Sequence, residues 1–175
     1  MLSLDQAQKK IVETLHPVSE ESIPFSNCQS RILSRDIVAK RKLPPFNNSA
    51  MDGYALRSED TSTATKQKPV HLKVTQTIAA GSRPSRSLKR GEAFRIYTGA
   101  MVPQGSDAVI LQENTEREDD VVSIYEKATP KQHIRFQGED VELGTSVLEK
   151  GTKIGPGELA MLAAQGQLDI PVHRK

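Results

Sequence analysis

Leu43-Pro-Pro-Phe-Asn-Asn-Ser-Ala-Met-Asp-Gly-Tyr-Ala-Leu56 begins as a loop and ends as a strand, and the fold is read outward from that change. Pro44 and Pro45 fix φ and lack amide donors, which keeps helix out of the stretch. Asn47, Asn48 and Ser49 are short polar residues that bond nearby backbone and hold turns. Met51, Tyr54, Ala55 and Leu56 then supply the apolar content of a short strand. Asp52 and Gly53 stand at the junction, where a glycine lets the chain bend or lets another group approach closely. On the residues alone, Asp52 either enters the strand through an Asx-type turn or meets a cation or polar ligand. The turn is the preferred reading.

Downstream the hydrophobic period is two. Val70, Leu72, Val74 and Ile78 alternate with polar residues, and Glu92 to Tyr97 carries Phe94 and Ile96 on one side. This second strand runs into Thr98-Gly99-Ala100. Thr98 there either offers a hydroxyl to a ligand or bonds its own turn. Asp107 leads into the apolar run Ala108 to Leu111. Glu113 to Asp120 reads as a charged hairpin around Glu118-Asp119-Asp120, a solvated turn in preference to a metal site, and Val121 to Tyr125 returns as a strand. Residues 51–125 are therefore expected to be all-β, a small barrel or sandwich. Ser58 to Lys68, polar throughout, reads as a loop, as does Ala79 to Arg86. Arg83 and Arg86 in the latter are candidate anion contacts, with ordinary solvated arginines the preferred reading.

The flanks have a different period. Leu4, Ala7, Ile11 and Leu15 recur at helical spacing, with Ser3 as N-cap, Gln6 completing a weak capping box and His16-Pro17 ending the helix. Gln29 to Val38 reads as a short helix followed by a strand. Lys40-Arg41-Lys42 reads as a solvated run. In Arg135-Phe-Gln-Gly-Glu-Asp140, opposite charges around a glycine suggest a turn in which Arg135 and Asp140 converge. Val147 to Ile154 reads as a hairpin turning at Lys150-Gly151. Gly155 to Gly166 has Pro156 and Glu158 at its start and glycine at its end, a helix with Leu159, Leu162 and Ala163 on one side. Leu168 to Val172 closes as a strand.

Composition bounds these readings. The chain has 175 residues, no Trp and 36% hydrophobic residues, which suits two modest cores better than one large one. With 24 basic and 22 acidic residues the net charge is +2, which gives no pointer to nucleic acid or to a membrane surface. The single cysteine, Cys28, excludes an internal disulfide, suits a reducing compartment such as the cytoplasm, and reads as structural. No apolar run reaches membrane-spanning length, and Met1 to Asp5 lacks the apolar core of a signal peptide.

Three ordered stretches carry a resemblance. Pro45-Phe-Asn-Asn-Ser-Ala-Met-Asp-Gly-Tyr-Ala55, Gly91-Glu-Ala-Phe-Arg-Ile-Tyr-Thr-Gly-Ala-Met-Val-Pro-Gln-Gly-Ser-Asp-Ala-Val-Ile110 and Ile134-Arg-Phe-Gln-Gly-Glu-Asp140 together resemble the signature blocks of the MoeA family, the molybdopterin molybdenumtransferases, which include the E domain of gephyrin. The resemblance covers nearly the whole chain but only the N-terminal part of the family's polypeptide, so the chain is expected to be a piece of a longer protein whose pterin-binding domain lies beyond Lys175. It implies an α+β, mainly β fold: a β-rich lobe at 44–133 inserted into a discontinuous α/β lobe at 1–43 and 134–175. It implies that molybdate is inserted into adenylylated molybdopterin with release of AMP and help from Mg²⁺, that the protein is a cytoplasmic homodimer, that the molybdopterin adenylyltransferase is a further partner, and that the piece alone is inactive. By match, Asp52, Thr98 and Asp140 are candidate catalytic residues, Asp52 and Asp140 candidate metal ligands, and Arg135 an anion contact or an orienter of Asp140. Many family members have Asp at the position of Asn47, so one carboxylate is missing here. A gephyrin-like scaffold arm and a non-catalytic β-rich binding module remain as alternative functions.

Overall fold

A computed structural model describes residues 2–16 and 18–175. The chain runs through α1 (Leu4–Thr14), β1 (Glu20–Pro24) and β2 (Ile37–Val38). The middle holds β3 (Asn48–Ser49), β4 (Gly53–Leu56), β5 (Val70–Ile78), β6 (Glu92–Ile96), β7 (Ala108–Leu111), β8 (Thr115–Glu118), β9 (Val121–Ile124) and β10 (Ile134–Arg135). It closes with β11 (Ser146–Leu148), α2 (Pro156–Ala164) and β12 (Asp169–His173). The fold is mainly β, with two helices among the described residues. It divides into an inserted unit, Lys42–Glu142, and a flanking unit up to Arg41 and from Leu143. Residues 134–142 thus group with the insert, not with the flanks as the expected boundaries had them, because β10 pairs with β3 and Leu43 bridges Val141.

In the inserted unit, six strands form one sheet in the order β7-β4-β6-β5-β9-β8. All neighbours are antiparallel except β5 and β6. The end of the signature stretch, β4, lies between β6 and β7 with all four residues buried. Alternation splits its side chains between two cores: Tyr54 and Leu56 pack with Ala108 and Ile110, and Ala55 packs with Phe94 and Val109. Along β5 the sequence pattern puts Leu72, Val74 and Ile78 on one face. The structure sends Leu72 and Val74 into the first core and Ile78 into the second. A register shift between Val74 and Gln76 inserts one residue against β6, and one residue reverses every later side chain.

The expected loop after β4 is partly ordered. Ser58–Thr61 forms a 3₁₀ turn with both terminal side chains buried. The Ser58 amide and hydroxyl donate to Asp107 at 2.6 Å each, and the Thr61 hydroxyl accepts from the Ala128 amide. Buried hydroxyls are tolerated because each has its partner.

In the flanking unit β1 pairs with β12 and β2 with β11 around Cys28, Leu33, Ile37, Ile154, Leu162, Ile170 and Val172. Two local expectations give way to tertiary pairing. Gln29 to Val38 holds no helix, only the strand at its end: the Leu33 amide bonds Thr152 and the Ser34 amide bonds Pro171, so its backbone bonds go to distant segments. Val147 to Ile154 does not pair with itself either. Leu148 lies opposite Ile37 and Lys153 opposite Ile32, so both arms add to the same earlier segment. α2 starts as expected, with the Gly155 amide bonded to Glu158, and buries Leu162, but Ala163 is exposed.

Ser3 caps α1 and Gln6 closes the box, as the sequence indicates. The role given to Pro17 falls outside the described residues. No residue of α1 is buried, and Leu4, Ile11 and Val12 are largely exposed. Elements with so few buried apolar contacts open easily. Amides of Leu4–Thr14 are therefore expected to exchange with solvent orders of magnitude faster than those of β4 and β6, by hydrogen-exchange mass spectrometry. Equal protection would show that the helix has found a partner.

Candidate functional site

Asp52 sits on the residue before β4, and Thr98 lies two residues after β6, the neighbouring strand. Strand pairing brings the two together across 46 positions of sequence. One carboxylate oxygen of Asp52, Oδ1, accepts from the Thr98 hydroxyl at 2.7 Å and from the Thr98 amide at 2.7 Å. Gly99 follows with φ of +78°, the left-handed turn that lets Thr98 face back toward Asp52. The hydroxyl first and the amide second hold the Asp52 carboxyl below its ordinary range, with a further contribution from the charge of Arg95.

A carboxyl whose pKa is depressed in the fold adds stability above its unfolded pKa and loses it as pH falls through the folded value. That window lies in acid, below about pH 4. NMR titration is expected to place the Asp52 midpoint below that of an unstructured aspartate, and Thr98→Ala to move it upward by removing the hydroxyl bond. An unchanged midpoint in Thr98→Ala would contradict the pairing.

Arg135 makes the second constellation. Its Nη2 donates to both oxygens of Asp140, at 2.7 and 2.6 Å, and its Nε donates to Glu139 Oε1 at 2.7 Å. The other Glu139 oxygen accepts from the Phe136 amide at 2.7 Å. That amide first and Arg135 second lower the Glu139 carboxyl, while Glu139 first and Asp140 second raise Arg135. The turn favours glycine at 138, where φ is +82°, the left-handed region that side chains rarely adopt. Backbone bonds clasp it to the signature loop, from Gly138 to Pro44 at 3.0 Å and from Asp140 to Leu43 at 2.9 Å. Asn47 joins them, its side-chain carbonyl accepting from the Gln137 amide at 2.9 Å. Asn47 thus serves as an acceptor that holds the turn.

The structure brings the four sequence-predicted residues together as two pairs, and β3 lies between them. On one side Ser49 exchanges bonds with Gly99 and Ala100, at 2.8 and 3.0 Å; on the other, Asn48 and Ser49 lie opposite Arg135 and Ile134. Among the described residues no hydrogen bond or ion pair joins one pair to the other.

Two participants escaped the sequence reading. Glu139 adjoins Asp140, and its i,i+4 spacing from Arg135 is the available signal. Arg95 donates to the Gly53 carbonyl at 3.0 Å and to Gln112, and its guanidinium lies 5.2 Å from the Tyr54 ring and 4.9 Å from the Tyr97 ring. It fixes the backbone next to Asp52. Cross-strand pairing of Tyr54 with Arg95 could not be read before the register was known.

Among the described residues no three His, Cys, Asp or Glu side chains group closely enough to hold a metal ion. Both oxygens of Asp140 are engaged by Arg135, whereas Asp52 keeps Oδ2 without a partner among the described residues. Mg²⁺ commonly takes one or two carboxylates and completes its shell with water and substrate phosphates, so Asp52 fits a one-carboxylate contribution.

A family model described as the MoeA N-terminal region (domain I and II) matches residues 2–166. The chain belongs to the MoeA N-terminal family. It is 43% identical over 172 residues to molybdopterin molybdenumtransferase 2 of Mycobacterium tuberculosis, covering 98% of this chain and 42% of that one. It is 40% identical over 177 residues to the molybdopterin molybdenumtransferase of Haemophilus influenzae, covering 100% of this chain and 43% of that protein. The crystal structure of the molybdopterin biosynthesis MoeA protein from Pyrococcus horikoshii OT3 superposes with a TM-score of 0.96 at 36% identity, over 100% of this chain and 46% of that one. This MoeA chain therefore spans less than half the length of the relatives it matches. Among its described residues no helix is long and apolar enough to cross a membrane.

Proposed function

We propose that this MoeA chain is the N-terminal part of a molybdenum insertase, which transfers molybdate into adenylylated molybdopterin and releases AMP. The observation that carries the reading is the pair of charged constellations on either side of β3, each built from a block that the family model covers. The substrates are anions, and the chain offers one guanidinium on a rigid turn and one carboxylate with an open oxygen. Arg135 contacts the anionic substrate or holds Asp140 toward it; its fork geometry suits oxyanions. Thr98 orients Asp52 by donating to Oδ1, which leaves Oδ2 for a cation or a substrate proton. Mg²⁺, when bound, neutralises phosphoanhydride charge; Asp52 is its best-placed ligand here, and Asp140 contributes only if Arg135 releases it. The relatives' greater length supports a pterin site outside this chain and inactivity of the 175-residue chain alone. A homodimeric cytoplasmic protein, with the molybdopterin adenylyltransferase as supplier, completes the proposal.

Reconstitution tests the reading. The whole protein, given adenylylated molybdopterin and molybdate, is expected to release AMP only when molybdate is present, and the isolated chain to release none. Molybdate-independent release, or none from the whole protein, would overturn the function. Release by the chain alone would overturn its incompleteness.

A further inference from the structure

A groove of about 530 Å³ opens on the inserted unit, within the roughly 300–1,000 Å³ range of small-ligand sites. Each signature block gives it a wall: Phe46 and Asn47 from the first, Met101, Val102 and Gln104 from the second, and Gln137 from the third. The fourth wall is the loop 79–87, with Arg83, Pro84 and Arg86. The two arginines differ. Arg86 is fully employed: both Nη atoms meet Glu92, at 2.7 and 3.0 Å, Nη2 also meets Thr75, and the guanidinium lies over the Phe94 ring. It props the loop against β5 and β6. The side chain of Arg83 is exposed and has no hydrogen-bond or ion-pair partner among the described residues.

The lining contains no carboxylate. Spare amide donors stand beside the free guanidinium: Gln104 accepts from Ser87 through Oε1, and Asn47 accepts from Gln137 through Oδ1, so each keeps its NH₂ group. Phe46, Met101 and Val102 form an apolar side on which a flat ring can lie. Cation, amide donors and apolar wall together suit an anionic phosphate ester next to a planar heterocycle.

We propose that this groove binds the heterocycle-phosphate portion of a nucleotide-like ligand, with Arg83 as its anion contact. The inference rests on the proposed function only for the identity of the physiological ligand, since the substrate named there is a phosphoanhydride between two heterocycles. The groove's own chemistry is testable on the isolated chain.

The probes are adenosine monophosphate, adenosine and inorganic phosphate, each titrated into the labelled chain and followed by amide chemical shifts. Adenosine monophosphate is expected to move the amides of Phe46, Arg83, Met101 and Gln137, and each half of the molecule alone to bind at least about tenfold more weakly. Arg83→Ala, which removes no hydrogen bond or ion pair among the described residues and should melt with the parent, is expected to weaken the monophosphate about tenfold; Arg83→Lys should restore part of the loss. Shifts elsewhere, no shifts at saturating probe, or equal binding by Arg83→Ala would overturn the proposal. If the groove fails while the whole protein still inserts molybdate, only this inference falls. If the groove binds and insertion is absent, the functional reading falls and the groove stands.

Discussion

Gly53→Ala is expected to destabilise the inserted unit more than any other single methyl addition in the signature stretch, by about 4 kcal/mol. Gly53 opens β4 and lies between Ile96 of β6 and Leu111 of β7. A Cβ there would stand 1.9 Å from the Ile110 carbonyl oxygen, 2.9 Å from its carbon and 3.2 Å from the Leu111 Cα. All three atoms are backbone of a paired strand, so no side-chain rotation relieves the collision. β4 and β7 must separate, and with them the cores on both faces that Tyr54 and Ala55 anchor. For a chain of this length the loss corresponds to a drop of roughly 10 °C in melting temperature. Gly81→Ala is the control: φ is +80° but nothing lies within 4 Å of the added carbon, so only backbone strain of about 1–2 kcal/mol is incurred. Scanning calorimetry on both variants checks the ranking. A Gly53→Ala protein that melts with the parent would mean that the β4–β7 pairing is wrong.

The second large effect is on activity. Arg135→Ala in the whole protein is expected to lower the insertion rate about a hundredfold or more, in the range seen when a preorganised electrostatic donor is removed. Among the described residues Arg135 is the only cation bonded to Asp140 and Glu139, so its loss changes the group from one net negative charge to two at the place where an anionic substrate is expected. The turn itself survives, because Gly138 and Asp140 keep their backbone bonds to Pro44 and Leu43. Arg135→Lys is expected to recover little. An ammonium has the charge but not the fork that meets Glu139 through Nε and Asp140 through Nη2 at once. Initial rates of AMP release, with melting measured on the same samples, check this. Full activity in Arg135→Ala would reduce the constellation to a turn brace.

The strands of the inserted unit were legible because alternation of apolar residues reports local geometry. What could not be read was whatever one register decides. The extra residue between Val74 and Gln76 moved Ile78 to the opposite core, and no composition marks it. Gln29 to Val38 has helical content locally but is claimed by distant backbone, Thr152 and Pro171, whose pull has no local sign. At the site, Arg135 and Asp140 could be paired from spacing alone, since five residues and a glycine bring them together. Asp52 with Thr98 was visible only as two separate ambiguities, each resolved by the other once β4 and β6 lie side by side. Arg95 stayed hidden for the same reason: its value lies in the rings of Tyr54 and Tyr97, and only the sheet shows that they flank it.

Asp52 and Asp140 either act on the substrate or merely hold turns. Insertion and melting, measured together on Asp52→Ala and Asp140→Ala in the whole protein, separate the two roles. Both side chains are solvent-accessible and hold their neighbourhoods together with backbone bonds besides their own. The expected result is a loss of molybdate-dependent AMP release of about a hundredfold in each variant, at a melting temperature close to that of the parent. Lowered melting with insertion intact in both would contradict it, and would leave the two carboxylates as parts of the fold alone.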